Sequence, residues 1–402
     1  MLEAIADVGL DASTGGYRRF AWTDADMTLR EWFAGEAEAR GMDVVEDGNG
    51  NQLAWLRSRP GVGRGSGASE HSGALLLGSH LDSVPDGGAF DGPLGVVSSF
   101  AALDRLRADG FAPTRPIVVA NFADEEGARF GIACAGSQLA TGVLAPERAL
   151  ALKDRDGLTM AEALAGQGRD PQRVGRADWL DDVGVFVELH VEQGRHLVHT
   201  GDAVGVASAI WPHGRWRLDF SGVADHAGAT RMVDRRDPMT AYAATVLAAR
   251  RLATDADARA TFGRLEVAPG GTNAIPSRVR AWLDARASTE DELGRLVEAI
   301  VAEARQAADA DATDVELVTE SVSPAVTFDL PLRDRLATVL DAPVLATGAG
   351  HDAGVLSRHV PTAMLFVRNP TGVSHSPAEH AEDADCEAGV DALVRVVETL
   401  AT

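Results

Sequence analysis

Two cysteines, Cys134 and Cys386, are all that 402 residues contain. So few exclude a disulfide framework and a thiolate metal site, and they fit a reducing cytoplasm. Lysine is rarer still. Lys153 stands alone and arginine supplies almost all the positive charge, which reads as a compositional bias. Positive charge as a whole is short: 37 Lys and Arg face 60 Asp and Glu, a net charge of −23. That disfavours a nucleic-acid or an anionic-membrane partner. No apolar run approaches the roughly 18 residues that a membrane span needs. The opening Met1-Leu2-Glu3-Ala4-Ile5 has no basic region leading into an apolar core, so no signal peptide is expected. A chain of this length exceeds one ordinary core, and two domains are the natural expectation.

What is present is a set of apolar strands that each end in polar groups. Ala74-Leu75-Leu76-Leu77 runs into a loop, 78–92, that holds His80, Asp82, Asp86 and Asp91 among glycines and a proline. Pro93 then opens an amphipathic helix to about residue 109. The run 117–122 delivers Asp124-Glu125-Glu126-Gly127, and 185–190 ends in His190 before Glu192-Gln193-Gly194. A helix at 24–40 and a hairpin across Asp47-Gly48-Asn49-Gly50 precede them, and 58–73 reads as a Gly/Ser/Arg-rich surface loop. Strands alternating with helices predict an α/β sheet, flanked by helices, with a site at its strand ends.

The pattern changes near residue 205. Strands near 216–220, 262–268, 279–286 and 314–319, with helices at 237–253 and 290–309, predict an α+β unit with helices on one face. Ser321-Val322-Ser323-Pro324 reads as a return linker. A helix at 330–340, one opening at His351, a strand at 363–367, a loop with His375 and a helix at 385–400 resume the first style. The predicted organisation is a discontinuous catalytic domain, 1–207 and 325–402, with a lid inserted at 208–324.

The strand ends collect His80, Asp82, Asp91, Glu125, Glu126, His190 and His375. Taken singly, each has a bland reading: Glu125-Glu126 as a solvated acidic turn, His190 or His375 as a satisfied or exposed histidine. Their recurrence after separate strands points to metal. Mixed imidazole and carboxylate ligands suit Zn²⁺ or Mn²⁺, with Co²⁺ or Ni²⁺ as alternatives, whereas Ca²⁺ wants oxygen. Five ligands exceed one tetrahedral site and suit two ions sharing a carboxylate. Neighbouring Glu125 and Glu126 point apart, so one can ligate while the other serves as general base.

Four segments carry a resemblance: 78–92, Asp124–Phe130, Glu188–Gly194 and Ser374–Glu379. Together they resemble the dinuclear M20 amidohydrolases, and more narrowly the branch of N-carbamoyl-L-amino-acid hydrolases, β-ureidopropionases and allantoate amidohydrolases. The match runs through nearly the whole chain in order. It implies a metallopeptidase-like catalytic domain with a ferredoxin-like lid that also dimerises. It implies His80, Glu126, His190 and His375 divided between two ions, with Asp91 bridging, Asp82 orienting His80 and Glu125 as general base.

Further segments resemble the same family. Asp225-His226-Ala227-Gly228 is similar to the one whose histidine crosses a homodimer to stabilise the oxyanion. Asn273, Arg286 and His351 lie in segments that imply contact with a small anionic, amino-acid-like substrate. Read alone, Asn273 is equally a turn residue and Arg286 a strand-edge charge. One departure stands out: His213 lies where the carbamoyl-cleaving members are expected to have glutamine. Arg368-Asn369-Pro370-Thr371 is also unusual for the branch. The expected reaction is metal-dependent hydrolysis of a linear C–N bond, in allantoate or an N-carbamoyl-L-amino acid, by a metal-activated hydroxide. An N-formimidoyl- or N-formyl-amino-acid hydrolase is the alternative. A dipeptidase, an aminopeptidase or an inactive metal-binding protein is a more distant one.

Overall fold

A computed structural model describes residues 1–57 and 72–402. The surface loop expected at 58–73 therefore lies, but for its last two residues, outside the described residues. The chain divides into two compact units, Met1–Ala209 with Thr327–Thr402, and Ile210–Val326. Each limit falls two residues beyond the one read from the sequence.

The first unit is built on a mixed sheet. Its strands are β1 (Asp43–Glu46), β2 (Gln52–Leu56), β3 (Ala74–His80), β4 (Ile117–Phe122), β5 (Val183–Val191), β6 (Val204–Ile210), β7 (Val326–Thr327), β8 (Val344–Thr347) and β9 (Thr362–Val367). Their order is β1-β2-β4-β3-β5-β9-β6-β7, with β8 paired to β6. The centre, β4-β3-β5-β9, is parallel. β1 with β2, β2 with β4, and β6 with β9 are antiparallel. Every residue of β3, β4 and β9 is buried, as parallel strands covered on both faces require. Helices Asp24–Ala39, Pro93–Ala108, Leu330–Leu340 and Asp383–Leu400 contribute side chains to the core of these strands. Phe100 is wholly buried there, its ring 5.3 Å from that of Phe33.

Strands β6 and β8 escaped the sequence reading. Both are short of large β-branched and aromatic runs: Val204-Gly205-Val206-Ala207-Ser208 and Val344-Leu345-Ala346-Thr347 hold their places by pairing.

The second unit has four antiparallel strands in the spatial order Asp314–Ser323, His213–Ser221, Arg278–Arg286, Arg259–Ala268. With helices Pro238–Asp255 and Glu290–Ala310 between them, the chain order is βαββαβ. Trp216, Leu218 and Phe220 alternate into the core on one strand, and Val279, Ala281, Leu283 and Ala285 on its neighbour. All but Ala281 pack in one cluster with Leu293, Leu296, Val297 and Ile300 of the second helix. The expected linker at Ser321–Pro324 is corrected here. Ser321, Val322 and Ser323 continue the last strand, paired with Arg215, Gly214 and His213 after an irregularity at Thr319–Ser321. The bulge breaks the alternation that would have marked a strand in the sequence.

Phe100→Ala should destabilise the first unit by about 3–5 kcal/mol, the usual cost of emptying a buried aromatic site. Urea denaturation followed by circular dichroism measures it, and a loss below about 1 kcal/mol would contradict this packing.

Candidate active site

Four parallel strands bring their C-terminal ends to one place. β3 and β5 run side by side in a register that pairs Gly78 with Glu188. Two residues further along each strand, on the same face, stand His80 and His190. Their ring centroids are 5.9 Å apart and both side chains are wholly buried. Each ring is oriented by its own segment. The His80 Nδ1–H donates to the Asp82 carbonyl at 3.1 Å, and the His190 Nδ1–H to the Val191 carbonyl at 2.9 Å. These contacts assign the proton to Nδ1 and aim the Nε2 lone pair inward.

Both Nε2 atoms face Asp91, at 3.5 Å from His80 and 3.0 Å from His190, and both measure to the same oxygen, Oδ1. The other oxygen, Oδ2, lies 3.5 Å from His375 Nε2, which is itself 3.6 Å from Glu126 Oε2. Two groups able to hold a cation result, His80-Asp91-His190 and Asp91-Glu126-His375. The carboxylate of Asp91 belongs to both, one oxygen for each. The sequence left open how the three histidines and Glu126 divide between the two groups. Here the strand-end pair groups together, and His375 groups with Glu126.

The Asp91 loop passes so close to His80 that position 92 must be glycine. A Cβ there would fall 2.4 Å from the imidazole, and the backbone takes φ +83°. Asp91 is further fixed by groups to which the sequence reading gave no role. Glu379 Oε1 accepts the backbone N–H of both Phe90 and Asp91 at 2.9 Å. The Ser374 hydroxyl and the Gln193 amide each donate to Asp91 Oδ2 at 2.9 Å. All three stand inside the recognised segments, so the signal was present without the partner.

Asp82 makes more contacts than the one expected with His80. Its carboxylate lies 3.5 Å from His80 Nδ1, further than its own carbonyl. Its two oxygens also accept the backbone N–H groups of Glu125 and Glu126, at 3.1 and 3.0 Å. Asp82 therefore fixes the Glu125–Glu126 turn as well as the imidazole. Glu125 is buried, with Oε2 3.7 Å from His80 Nε2 and Oε1 3.3 Å from the Cys134 thiol.

His351 lies behind His190, ring centroids 4.5 Å apart, and is 3% exposed. Burial, with His190 beside it, holds its pKa well below the ordinary imidazole value, so the ring is neutral. The unusual Arg368–Thr371 segment has a structural account. Arg368 makes a paired contact with Asp385, and Asn369 accepts from Thr371 and Gly372 while donating to the Val373 carbonyl. This turn leads into His375, which sits at φ +56°.

The remaining expected residues belong to the second unit. His226 Nδ1 accepts from the backbone of Gly228 and Ala229, at 3.0 and 3.2 Å, which puts the neutral ring's proton on Nε2. Asn273 adjoins it, its carbonyl accepting from Ala227. Arg286 pairs across the sheet with His213 and contacts Asp284 at 2.9 Å. Burial pushes the His213 pKa down, with Arg286 reinforcing it and the Trp211 carbonyl opposing.

The first unit's cluster fits divalent cations. Among the described residues, His80 Nε2, His190 Nε2 and Glu126 Oε1 are buried without a hydrogen-bond partner. Buried polar atoms in native proteins are almost always satisfied. Here the orphaned atoms are metal-ligand types on converging side chains. The charge pattern agrees. Burial raises Glu126, and Asp91 beside it adds to this, pushing it up to about 8. Burial would lower His80, but Glu125, Asp82 and Asp91 carry it well above its ordinary value. Without a cation, protons supply the missing positive charge.

The comparisons with known proteins agree. Residues 76–399 match the family described as Peptidase family M20/M25/M40. The chain belongs to that family. It is an M20-type amidohydrolase. It is 37% identical to an N-carbamoyl-L-amino acid amidohydrolase of Geobacillus stearothermophilus, over all of this chain and 97% of the relative. It is 30% identical to an allantoate amidohydrolase of Bacillus subtilis, over all of this chain and 96% of that one. Among solved structures, an amidase of the hydantoinase/carbamoylase family from Burkholderia multivorans superposes with a TM-score of 0.85 at 30% identity, covering 100% of this chain and 96% of that one.

Metal binding at pH 7 should release protons, because Glu126 and His80 must lose theirs to ligate. Release should fall as pH rises through about 8, where Glu126 is already ionised. Titration of the metal-free protein with Mn²⁺ or Zn²⁺ in two buffers of different ionisation enthalpy reads this directly. Glu126→Gln should lower the count, and no release at pH 7 would contradict the electrostatics.

Proposed function

We propose that this amidohydrolase cleaves the linear C–N bond of an N-carbamoyl-L-amino acid or of allantoate. The observation that carries the reading is the Asp91 carboxylate shared by two imidazole–carboxylate groups, with the buried Glu125 beside them as a carboxylate outside both. His80, Asp91 and His190 would hold one divalent ion, Asp91, Glu126 and His375 a second. When bound, such a pair supplies Lewis acidity that polarises a carbonyl and acidifies water. Zn²⁺ and Mn²⁺ suit these donors. Glu125 takes the proton of the attacking water and returns it to the leaving nitrogen. Asp82 fixes the backbone of Glu125 and Glu126 by accepting both their N–H groups.

The Ile210–Val326 unit serves as lid and dimerisation domain. His226, with its proton on Nε2, stabilises the developing oxyanion in the partner's site. Arg286 takes the substrate carboxylate, where its planar fork matches two oxygens. Asn273 and His351 complete the contacts. His213 touches the Trp211 carbonyl through Nδ1, at 3.3 Å, which leaves Nε2 as an acceptor. An acceptor fits a head group that carries N–H. That keeps carbamoyl compounds and allantoate in place. It also favours N-formimidoyl over N-formyl amino acids as the second reading.

Turnover should be assayed as ammonia or amine release on protein reconstituted separately with Mn²⁺, Zn²⁺, Co²⁺ and Ni²⁺. The panel holds allantoate, N-carbamoyl-L-amino acids, N-carbamoyl-β-alanine, N-formimidoyl- and N-formyl-L-glutamate and a few dipeptides. A carbamoyl compound or allantoate should lead, and exclusive turnover of dipeptides would sink the reading. Glu125→Gln should lower kcat by roughly 10²–10⁴-fold with metal retained, the usual weight of a positioned base. Mixing inactive Glu125→Gln and His226→Ala protein should restore partial activity through hybrid dimers. Mixtures that stay inactive after confirmed subunit exchange would rule out the action of His226 across the dimer.

A further inference from the structure

Glu125 is held differently from every carboxylate around it. Asp82 accepts two backbone N–H groups. Asp91 is fixed by Gln193 and Ser374, and Glu379 by the N–H groups of the Asp91 loop. For Glu125, among the described residues, the side-chain hydrogen-bond donor is a thiol, Cys134 Sγ at 3.3 Å from Oε1. The same residue also binds the Glu125 backbone, its N–H donating to the Glu125 carbonyl. Cys134 pays for this double grip with an uncommon conformation, φ +53°, at the start of the short helix Ala135–Ala140. It is 6% exposed, so solvent does not compete for the thiol.

We propose that Cys134 is a positioning residue for Glu125. Its S–H pins Oε1 and so turns Oε2 toward His80 and the shared cluster, where the 3.7 Å approach is found. A thiol is protonated at neutral pH and is a weak donor. It sets where the carboxylate stands while leaving Oε2 open to receive a proton. A carboxylate on a two-carbon stem, without that contact, samples other rotamers and reaches the water less often in the productive geometry. The inference rests on the assignment of Glu125 as general base, but the contact itself does not.

Two measurements test it. Cys134→Ala should lower kcat on the best panel substrate by about tenfold, with KM within about twofold and metal content unchanged, the pattern of an interaction that acts on the chemical step. Cys134→Ser, which restores a donor, should recover most of that loss. The second measurement needs neither substrate nor metal. The infrared S–H stretch of Cys134, assigned by its disappearance in Cys134→Ser and set against the band of Cys386, should lie at lower frequency than a free thiol and move up in Glu125→Gln. A Cys134→Ala enzyme with wild-type kcat, or an S–H band indifferent to Glu125→Gln, overturns the proposal. Should Cys134→Ala fail to fold, the serine variant and the band still decide. If instead Glu125→Gln keeps full turnover while the band shifts, the general-base reading falls and the thiol contact stands.

Discussion

Asp91 is the point on which the site turns. Its two oxygens face two different groups, so any error in its placement would disturb both at once. The chain answers with constraints from distant places. Glu379, from the far end of the sequence, holds the Asp91 backbone, while Ser374 and Gln193 hold its side chain. Gly92 lets the backbone slide beneath His80, and Pro93 starts a helix at once behind it. The loop is therefore clamped at both backbone and carboxylate, with little freedom left to relax. Catalytic constellations are sensitive to misplacements of this order, and the supporting hydrogen bonds matter nearly as much as the ligands.

The second constraint is charge. Five carboxylates, Asp82, Asp91, Glu125, Glu126 and Glu379, are packed around three imidazoles at the ends of a buried parallel sheet. Burying like charges without compensation is expensive, and such groups neutralise by taking up protons. Burial, with Asp91 beside it, pushes Glu126 up to about 8, while the surrounding carboxylates raise His80 and the imidazoles hold Asp91 well below the usual carboxylate range. Backbone strain accompanies it: Asp124, Cys134 and His375 all adopt left-handed conformations, which cost non-glycine residues about 1–2 kcal/mol each. Strain and uncompensated charge gathered in one place mark a site that the rest of the fold holds against its own preference. The β3, β4, β5 and β9 strands, buried throughout except at Gly184 of β5, provide that support.

How much of this was legible beforehand depended on distance along the chain. His80, Glu125, Glu126 and His190 stand out in the sequence because each follows closely on an apolar run, and a strand end is a local signal. Asp91 stands out because the Gly-rich bend lies beside it. The roles of Glu379 and Ser374 do not, because their partners at Phe90 and Asp91 lie 283 to 289 residues away, and no local pattern pairs them. Arg368–Thr371 looked like a departure from the branch. It is a turn whose Asn369 closes on Val373 and whose Arg368 pairs with Asp385, a contact invisible in a linear reading. Strand β6 and the stretch Ser321–Ser323 were missed for another reason. Pairing with neighbours, not side-chain character, makes them strands.

Asp82 shows how one residue can serve two neighbours at once. Glu125 and Glu126 are adjacent, yet the Glu126 carboxylate stands in a group able to hold a cation and the Glu125 carboxylate stands outside both. Adjacent residues on an extended segment would diverge by the pleat alone. Here the segment turns instead, with Asp124 left-handed immediately before it. The Asp82 carboxylate fixes the backbone of both residues in this turn by taking one N–H from each. With the backbone so fixed, Glu126 falls toward His375 and Glu125 toward His80 and the Cys134 thiol. The Asp82 carbonyl meanwhile sets the tautomer of His80. Loss of the Asp82 side chain would therefore loosen both glutamates together, whereas loss of the Cys134 thiol would loosen Glu125 alone. That difference is what separates a residue that builds the site from one that tunes it.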